Sequence, residues 1–441
     1  MRGDTNMIED QRDTLTGLVG SAGAHRRIVQ WQRKAAEAGT FAPIHAMMLG
    51  LRRFETVNLA FGEAAGDSAL VTVASRMLHF AADELEGEWL LARIGGGNFM
   101  LASNESCSRE RWQWLAETLA ESIARPIDNS IRAGTVRLWP RIALMRALKG
   151  EGADAVFDRL AETLERVRHE AGRRVMWVDG EVSIAGRSGQ QLEADLLAAI
   201  DRDEIELVYQ PQFSAMDDSL VGAEALARWQ HPLLGRIGAA ALFAIAERAD
   251  HVAQLSRHIA TRALADAAKW PDRANAPLRL SLNVTPADLS AGSFASDLAD
   301  IIADAGFSPL RLTLEITEQA LLTDLDRSAR SMGDLVELGV RIALDDFGAG
   351  FCNFRYLKRL PLQYLKLDRS MVDDIVGDAR DLAIFRGILA MAHALDLSVI
   401  AEGIETEEQR EIVAREGCAL YQGFLRAKPM SAQEFLDLAT T

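Results

Sequence analysis

Eight short apolar segments recur across the second half of the chain, at residues 205–210, 220–228, 279–284, 311–316, 341–345, 363–368, 397–402 and 418–424. Stretches of helical periodicity separate most of them, most clearly at 256–269, 326–338, 381–395 and 407–416. Eight strands alternating with helices in this way fit a (β/α)8, TIM-like barrel. Only a short polar connection joins the first two segments. The first strand is therefore expected to be antiparallel, paired with the second as a hairpin.

The first half has a different rhythm. Helical patterns at 22–38, 61–85, 109–124 and 153–170 are interleaved with strand patterns at 44–51, 90–94, 98–102, 136–145 and 174–178. A Gly-Gly-Gly run at 95–97 marks a hairpin turn. This order predicts an α+β domain with a mostly antiparallel sheet. A polar, Gly-containing stretch at 179–189 (DGEVSIAGRSG) then leads into a short amphipathic helix near 192–200. The expected organisation is an α+β domain over 1–178, a linker with a short helix over 179–200, and an α/β barrel over 201–441. Two domains also suit a chain of 441 residues.

The formal net charge of −16 argues against generic nucleic-acid binding, which depends on Lys and Arg neutralising phosphates. It does not oppose a small anionic ligand, because bound divalent metals invert the local field. The three cysteines, Cys107, Cys352 and Cys418, form no CxxC pair, so neither a disulfide framework nor a thiolate zinc site is expected. The first residues carry acids and no apolar core, so no signal peptide is expected. Nor is a membrane span, and a cytoplasmic location follows. The eight histidines are scattered; His251 and His258 read as a solvated or packed helix face.

The chemistry lies in what ends the apolar segments. Glu224 interrupts the second, and Asn283, Glu315, Asp345 with Asp346, Lys366 with Asp368, and Glu402 come at or near the ends of later ones. In a barrel those ends converge on one face, where catalytic groups gather. A single acid after a strand is usually an exposed loop residue. A set of them at the rims of buried strands would repel, and cations are the natural remedy. All-oxygen ligands favour Mg²⁺ or Mn²⁺, with Ca²⁺ as an inhibitor. Two such ions about 3.5–4 Å apart would hold a water and clamp a phosphodiester for in-line attack. Lys366 would add positive charge beside them, and Glu402 would ligate a metal or assist proton transfer.

The ordered motifs YQP (209–211), EALARW (224–229), LNV (282–284), LEITE (314–318), DDFGAG (345–350), LKLD (365–368), AEGIE (401–405) and QGFLRAKP (422–429) resemble those of the EAL-domain cyclic di-GMP phosphodiesterases. The resemblance implies hydrolysis of cyclic di-GMP to linear pGpG. It makes Glu224, Asn283, Glu315 and Asp345 metal ligands and places Asp346 at a second metal. Lys366 then lies near the catalytic water, and Glu402 is essential for activity. Arg228 would hold a substrate phosphate, with Gln210, Leu226, Gln422 and Pro429 also binding substrate. Glu318, Glu405 and Asp368 would position the loop after Asp346. Homodimerisation is implied as well.

The loop departs from the family's usual DDFGTGYSSL, reading DDFGAGFCNF, so hydroxyls that would bond there are lost. Cys352 in that loop has no neighbouring His and reads as loop rather than nucleophile. Arg426 stands where an aromatic is common. The altered loop keeps a second reading open, a receptor that binds cyclic di-GMP without cutting it.

The first half resembles a GGDEF domain, the ferredoxin-like, cyclase-type fold, through DTLTGL (13–18), LGLRRFETVN (49–58) and ARIGGGNF (92–99). Its chemistry departs from the family. Gly97 and Asn98 stand where two acids belong, Gly50 where a metal-binding Asp belongs, and Leu59 where an acid would read guanine. The inhibitory RxxD motif is absent, with EGEW at 86–89 in its place. The expectation is a regulatory module without cyclase activity, offering a surface for protein partners; Asn58 reads as structural.

Overall fold

Buried apolar segments form a sheet with helices on it in the first half, and in the second half they close a ring. The computed structural model describes residues 12–41, 43–52, 54–128, 135–147, 151–170, 174–179, 189–271, 277–317, 325–348 and 357–440. The chain divides into two compact units. One comprises Met1–Gln191 with His231–Ala241, the other Leu192–Gln230 with Leu242–Thr441.

The first unit contains strands β1 (Val19–Gly20), β2 (His45–Arg52), β3 (Trp89–Gly95), β4 (Asn98–Ser103), β5 (Trp139–Arg146) and β6 (Val175–Trp177). They form a six-stranded sheet in the order β1-β3-β4-β2-β5-β6. The three central pairings are antiparallel and the two outer ones parallel, which bears out the mostly antiparallel expectation. Helices α1 (Ser21–Glu37), α2 (Phe54–Phe61), α3 (Glu63–Glu84), α4 (Arg109–Ala124) and α5 (Ala153–His169) accompany it. The helix expected at 61–85 forms as α3, and α2, which the sequence reading did not name, precedes it; Gly62 adopts a left-handed φ of 92° between the two and breaks the helical ladder. On one sheet face Ala46, Met48, Met100, Ala102, Ala143 and Met145 pack with Ile28 and Trp31 of α1 and Leu160 and Leu164 of α5.

The second unit is a closed ring of β7 (Ile205–Ser214), β8 (Leu220–His231), β9 (Arg279–Val284), β10 (Leu312–Thr317), β11 (Arg341–Phe347), β12 (Tyr364–Leu367), β13 (Ser398–Ala401) and β14 (Leu420–Tyr421). Strands β8 to β14 run parallel to their neighbours; β7 is antiparallel to both β8 and β14, as the short connection predicts. Outer helices include α6 (Val252–Ala267), α7 (Phe294–Ala305), α8 (Leu325–Glu337), α9 (Ala379–Ala394) and α10 (Glu407–Glu416). Their ends follow local chemistry. Thr406 and Gln409 form a capping box at the start of α10, and Gly417 closes it in the left-handed conformation. No described helix is long and apolar enough to cross a membrane.

His45, at the head of β2, is fully buried. Its Nδ1 lies 3.0 Å from the Pro43 carbonyl oxygen, and its ring centroid lies 5.5 Å from that of Trp112. Burial, reinforced by Arg146, lowers its pKa, so the folded ring stays neutral. An unfolded histidine takes up its proton below about pH 6.5, so this contribution is present above that pH and lost as pH falls through it. The thermal midpoint of unit-one unfolding should drop on acidification from about pH 7.5 to 5.5, and His45→Phe should flatten that dependence. Circular-dichroism melts of both proteins check this; parallel pH profiles would refute it.

Candidate active site

The barrel interior changes character within one layer. Ala343, Tyr364, Ile400 and Leu420 form a buried cluster on its axis. Two residues further along the same strands come Asp345, Lys366, Glu402 and Gln422, the last two just beyond their strand ends. Side chains two apart on a strand share a face, so this polar set caps the apolar one. Across the ring, Asn283 lies in register with Glu315, and Glu224 with Gln210. Alternation also puts Leu226 and Arg228 on the face of β8 that carries Glu224.

Lys366 is the centre of the set. It is only 1% exposed. Its Nζ lies 2.5 Å from Glu315 Oε2, 2.7 Å from Glu402 Oε1, 3.0 Å from Asp345 Oδ1 and 3.4 Å from Glu224 Oε2. Burial disfavours its charge, but Asp345, Glu224, Glu315 and Glu402 together outweigh burial and raise its pKa. The acids respond differently. Burial and the nearby Glu224 carboxylate push Glu315 well up despite Lys366. Burial likewise raises Glu402 to about 8, with Lys366 opposing and Asp345 and Glu224 adding. Glu224 goes down, because Lys366, Gln422 and Asn283 overcome its burial.

Amides complete the arrangement. Asn283 Nδ2 donates to Glu224 Oε1 at 2.7 Å. Gln422 Nε2 donates to Glu224 at 2.9 Å and to Glu402 at 2.8 Å. Gln212 Nε2 in turn donates to Gln422 Oε1 at 3.0 Å, which fixes the orientation of that amide. Sequence reasoning named Gln210 and missed Gln212. The available signal was a second glutamine two residues along the same strand, on the same face.

Consecutive strand residues should point to opposite faces, yet Asp345 and Asp346 both bring a carboxylate oxygen close to Glu402. The β11–β12 register shifts between Leu344 and Phe347, and Asp346 adopts a left-handed φ of 56°. A bulge of this kind re-aims a side chain. As a result Asp345, Asp346 and Glu402 offer carboxylate oxygens within 4.8 Å of one another. Among the described residues, the buried Glu315 Oε1 finds no hydrogen-bond partner. A bulge-gathered carboxylate trio and an unsatisfied buried carboxylate oxygen fit a divalent cation with oxygen ligands.

Several other expected residues have partners of their own. Arg228 is buried and donates to the Ala227 carbonyl oxygen at 2.8 Å. Asp368 accepts from the backbone and hydroxyl of Ser370, capping the turn Arg369–Met371. Glu405 is exposed and pairs with Arg369 at 2.7 Å. Pro429 is half-buried next to the bridging strand Met430–Ser431, which pairs with β7. Glu318 and the loop residues Ala349, Phe351, Cys352, Asn353 and Phe354 lie outside the described residues. Arg426 is held by Asp218 at 2.6 Å and Glu407 at 2.6 Å.

A ring with one reversed strand and an acidic, lysine-centred mouth defines the class. The family model for the EAL domain matches residues 193–429, and that for the diguanylate cyclase GGDEF domain matches residues 10–174. The chain belongs to the EAL-domain family and carries a GGDEF domain ahead of the barrel. It is 31% identical over 425 residues to an uncharacterised protein of Mycobacterium tuberculosis, covering 96% of this chain and 66% of that one. It is 29% identical over 427 residues to the cyclic di-GMP phosphodiesterase NbdA of Pseudomonas aeruginosa, covering 96% and 54%. The solved PaMucR phosphodiesterase in complex with c-di-GMP superposes with a TM-score of 0.52 at 34% identity, covering 56% of this chain and 99% of that one. The chain thus spans 66% or less of the length of these two curated relatives.

Removing the central ammonium tests the electrostatic reading. Lys366→Met leaves the acids uncompensated and should destabilise the metal-free barrel by on the order of 3–5 kcal/mol, with Mn²⁺ restoring part of the loss. Thermal melts in chelator and in Mn²⁺ measure both effects; a variant as stable as the parent in chelator would contradict the argument.

Proposed function

We propose that this chain hydrolyses cyclic di-GMP to linear pGpG with the help of two divalent cations, Mg²⁺ or Mn²⁺, and that residues 201–441 carry the activity. The observation that supports this most is the gathering of Glu224, Glu315, Asp345 and Glu402 within 3.4 Å of one Lys366 ammonium. It is joined by the c-di-GMP phosphodiesterase chemistry of the relatives.

Glu224, Asn283, Glu315, Asp345 and Asp346 would hold the ions. When bound, the ions supply an activated water and charge stabilisation on the phosphodiester. The chain's own groups do the rest. Arg228 presents a planar fork suited to two phosphate oxygens. Lys366 keeps positive charge beside the reacting centre. Glu402, bonded to Lys366 and Gln422, is placed to hold or pass a proton at Oε1. Gln210, Leu226, Gln422 and Pro429 line the substrate, and Glu318, Glu405 and Asp368 position the loop after Asp346. Ca²⁺ would inhibit by imposing a looser oxygen shell.

We read residues 1–178 as a regulatory domain without cyclase activity, because Gly50, Gly97, Asn98 and Leu59 replace acids that its reaction needs; Leu59 is 87% exposed. Holding Mg²⁺ against a triphosphate requires carboxylates.

Incubation of the purified chain with cyclic di-GMP and Mg²⁺ or Mn²⁺ should yield pGpG, and chelation should stop it. Glu224→Ala should lower the rate by about 100-fold or more, the scale of losing one catalytic metal contact. Incubation with GTP and Mg²⁺ should yield no cyclic di-GMP. Tight binding without turnover would replace the enzyme with a receptor, and neither binding nor turnover would remove both readings.

A further inference from the structure

The first unit holds a piece of chain that follows β8. Residues His231–Ala241 belong to it, although β8 itself carries Glu224 and Arg228. Side chains of the first unit fix this strap by its backbone. Arg111 of α4, only 6% exposed, donates through Nη1 to the Leu234 carbonyl oxygen at 2.7 Å and to that of Arg236. Its Nη2 donates to the Glu84 carbonyl oxygen at the end of α3, 2.7 Å away. Glu84 Oε2 accepts from the Gly238 amide at 3.1 Å, and Asp83 Oδ2 from the Ala240 amide at 3.0 Å. Arg236 answers from the strap, donating to the Asp83 carbonyl oxygen at 2.8 Å and pairing with Glu86 at 2.9 Å. The fit is close at Gly238, where a Cβ would fall 2.3 Å from Asp83 Oδ2.

Burying a guanidinium and a carboxylate is costly unless their bonds are satisfied. Here Arg111 and Glu84, both buried, direct those bonds at the backbone of one short segment, so its position is specified. Helix α4 fixes a second departure of the chain. Arg109 pairs with Asp179, where the polar linker begins, at 3.2 Å and lies 4.1 Å over the Trp177 ring. Gln113 Oε1 accepts from Trp177 Nε1 at 2.5 Å. The support along β8 is uneven. Gly222–Ala225, which include Glu224, pair with β7 on one side and β9 on the other. The pairing with β9 ends at Ala225. Arg228 lies past that point, three residues before the strap.

We propose that Arg111 is a positioning residue for the barrel: by fixing the strap it sets where the end of β8 delivers Arg228, and through Arg228 how tightly a substrate phosphate is held. This deepens the phosphodiesterase reading and rests on it for the task of Arg228. Its effect is selective. Glu224, inside the two-sided ladder, keeps its place when the strap loosens, and so do the cations it would hold. Arg228 shifts, and a planar fork that must meet two phosphate oxygens tolerates little displacement. An interaction of this kind acts on bound substrate and transition state alike, so its loss appears in KM rather than in kcat.

Steady-state hydrolysis of cyclic di-GMP by the full chain, with Mn²⁺ titrated, tests the proposal. Arg111→Gln should raise KM about fivefold or more and Asp83→Ala about threefold, with kcat within about twofold of the parent and the Mn²⁺ requirement unchanged. Asp83→Asn keeps an acceptor for the Ala240 amide and should restore the parent KM. Asp83 is half-buried at a helix end, so its variants keep the test readable if Arg111→Gln misfolds. Hydrogen exchange, read on peptides from the same preparations, should quicken at 226–230 as well as at 231–241 and stay unchanged at 220–225. A lowered kcat at the parent KM, unaltered kinetics in both Arg111→Gln and Asp83→Ala, or quickened exchange confined to 231–241 would overturn the assignment. A parent that forms no pGpG counts against the phosphodiesterase reading instead, and the exchange pattern still decides whether the strap governs the end of β8.

Discussion

One ammonium makes the barrel mouth tolerable to the fold. Four carboxylates from four strands stand within 3.4 Å of Lys366 Nζ, in a place that is almost dry. Without a cation, at least some of those acids would be held protonated or would push the strands apart. The asymmetry of their responses, Glu224 down and Glu315 and Glu402 up, shows that a single lysine cannot neutralise all of them. The amide relay from Gln212 through Gln422 shares the burden by fixing Glu224 and Glu402 with neutral donors. Glu315 Oε1, without a hydrogen-bond partner among the described residues, marks capacity that one ammonium leaves unused.

Much of this was legible because apolar strands that end in a charge are rare without a reason. That pattern located Glu224, Asn283, Glu315, Asp345, Lys366 and Glu402, and the short connection after the first strand revealed its reversed direction. Backbone irregularity was not legible. Alternation by itself aims two adjacent aspartates to opposite faces, and the bulge with the left-handed φ at Asp346 accompanies the approach of both carboxylates to Glu402. Gln212 escaped because its strand runs the opposite way, so a search of strand ends passes over it. In the first half, α2 was not read, because its eight residues are too few to display a helical period.

Both units place their polar chemistry by the same rule and with opposite sign. In the barrel, Ala343, Tyr364, Ile400 and Leu420 give way to acids around one lysine. In the sheet, Met48, Met100 and Ala143 give way to Gly50, Asn98 and Arg141, with Arg168 over Gly50. An apolar layer below each row fixes the backbone, and the strand's alternation aims the next inward residue without further machinery. A formal net charge of −16 therefore describes the whole chain and conceals a basic corner.

The reversed strand also governs when the site can exist. Strand β7 opens the ring, yet its neighbours are β8, Leu420–Tyr421 and Met430–Ser431, so the seam joins residues some of which are more than two hundred positions apart. Pairings of such sequence separation form late, because a long loop must close before they are rewarded. During synthesis the carboxylates emerge one strand at a time, and Gln422, which bonds Glu224 to Glu402, emerges after all of them. A nascent chain halted before residue 420 carries all of these acids but not the closed ring that gathers them.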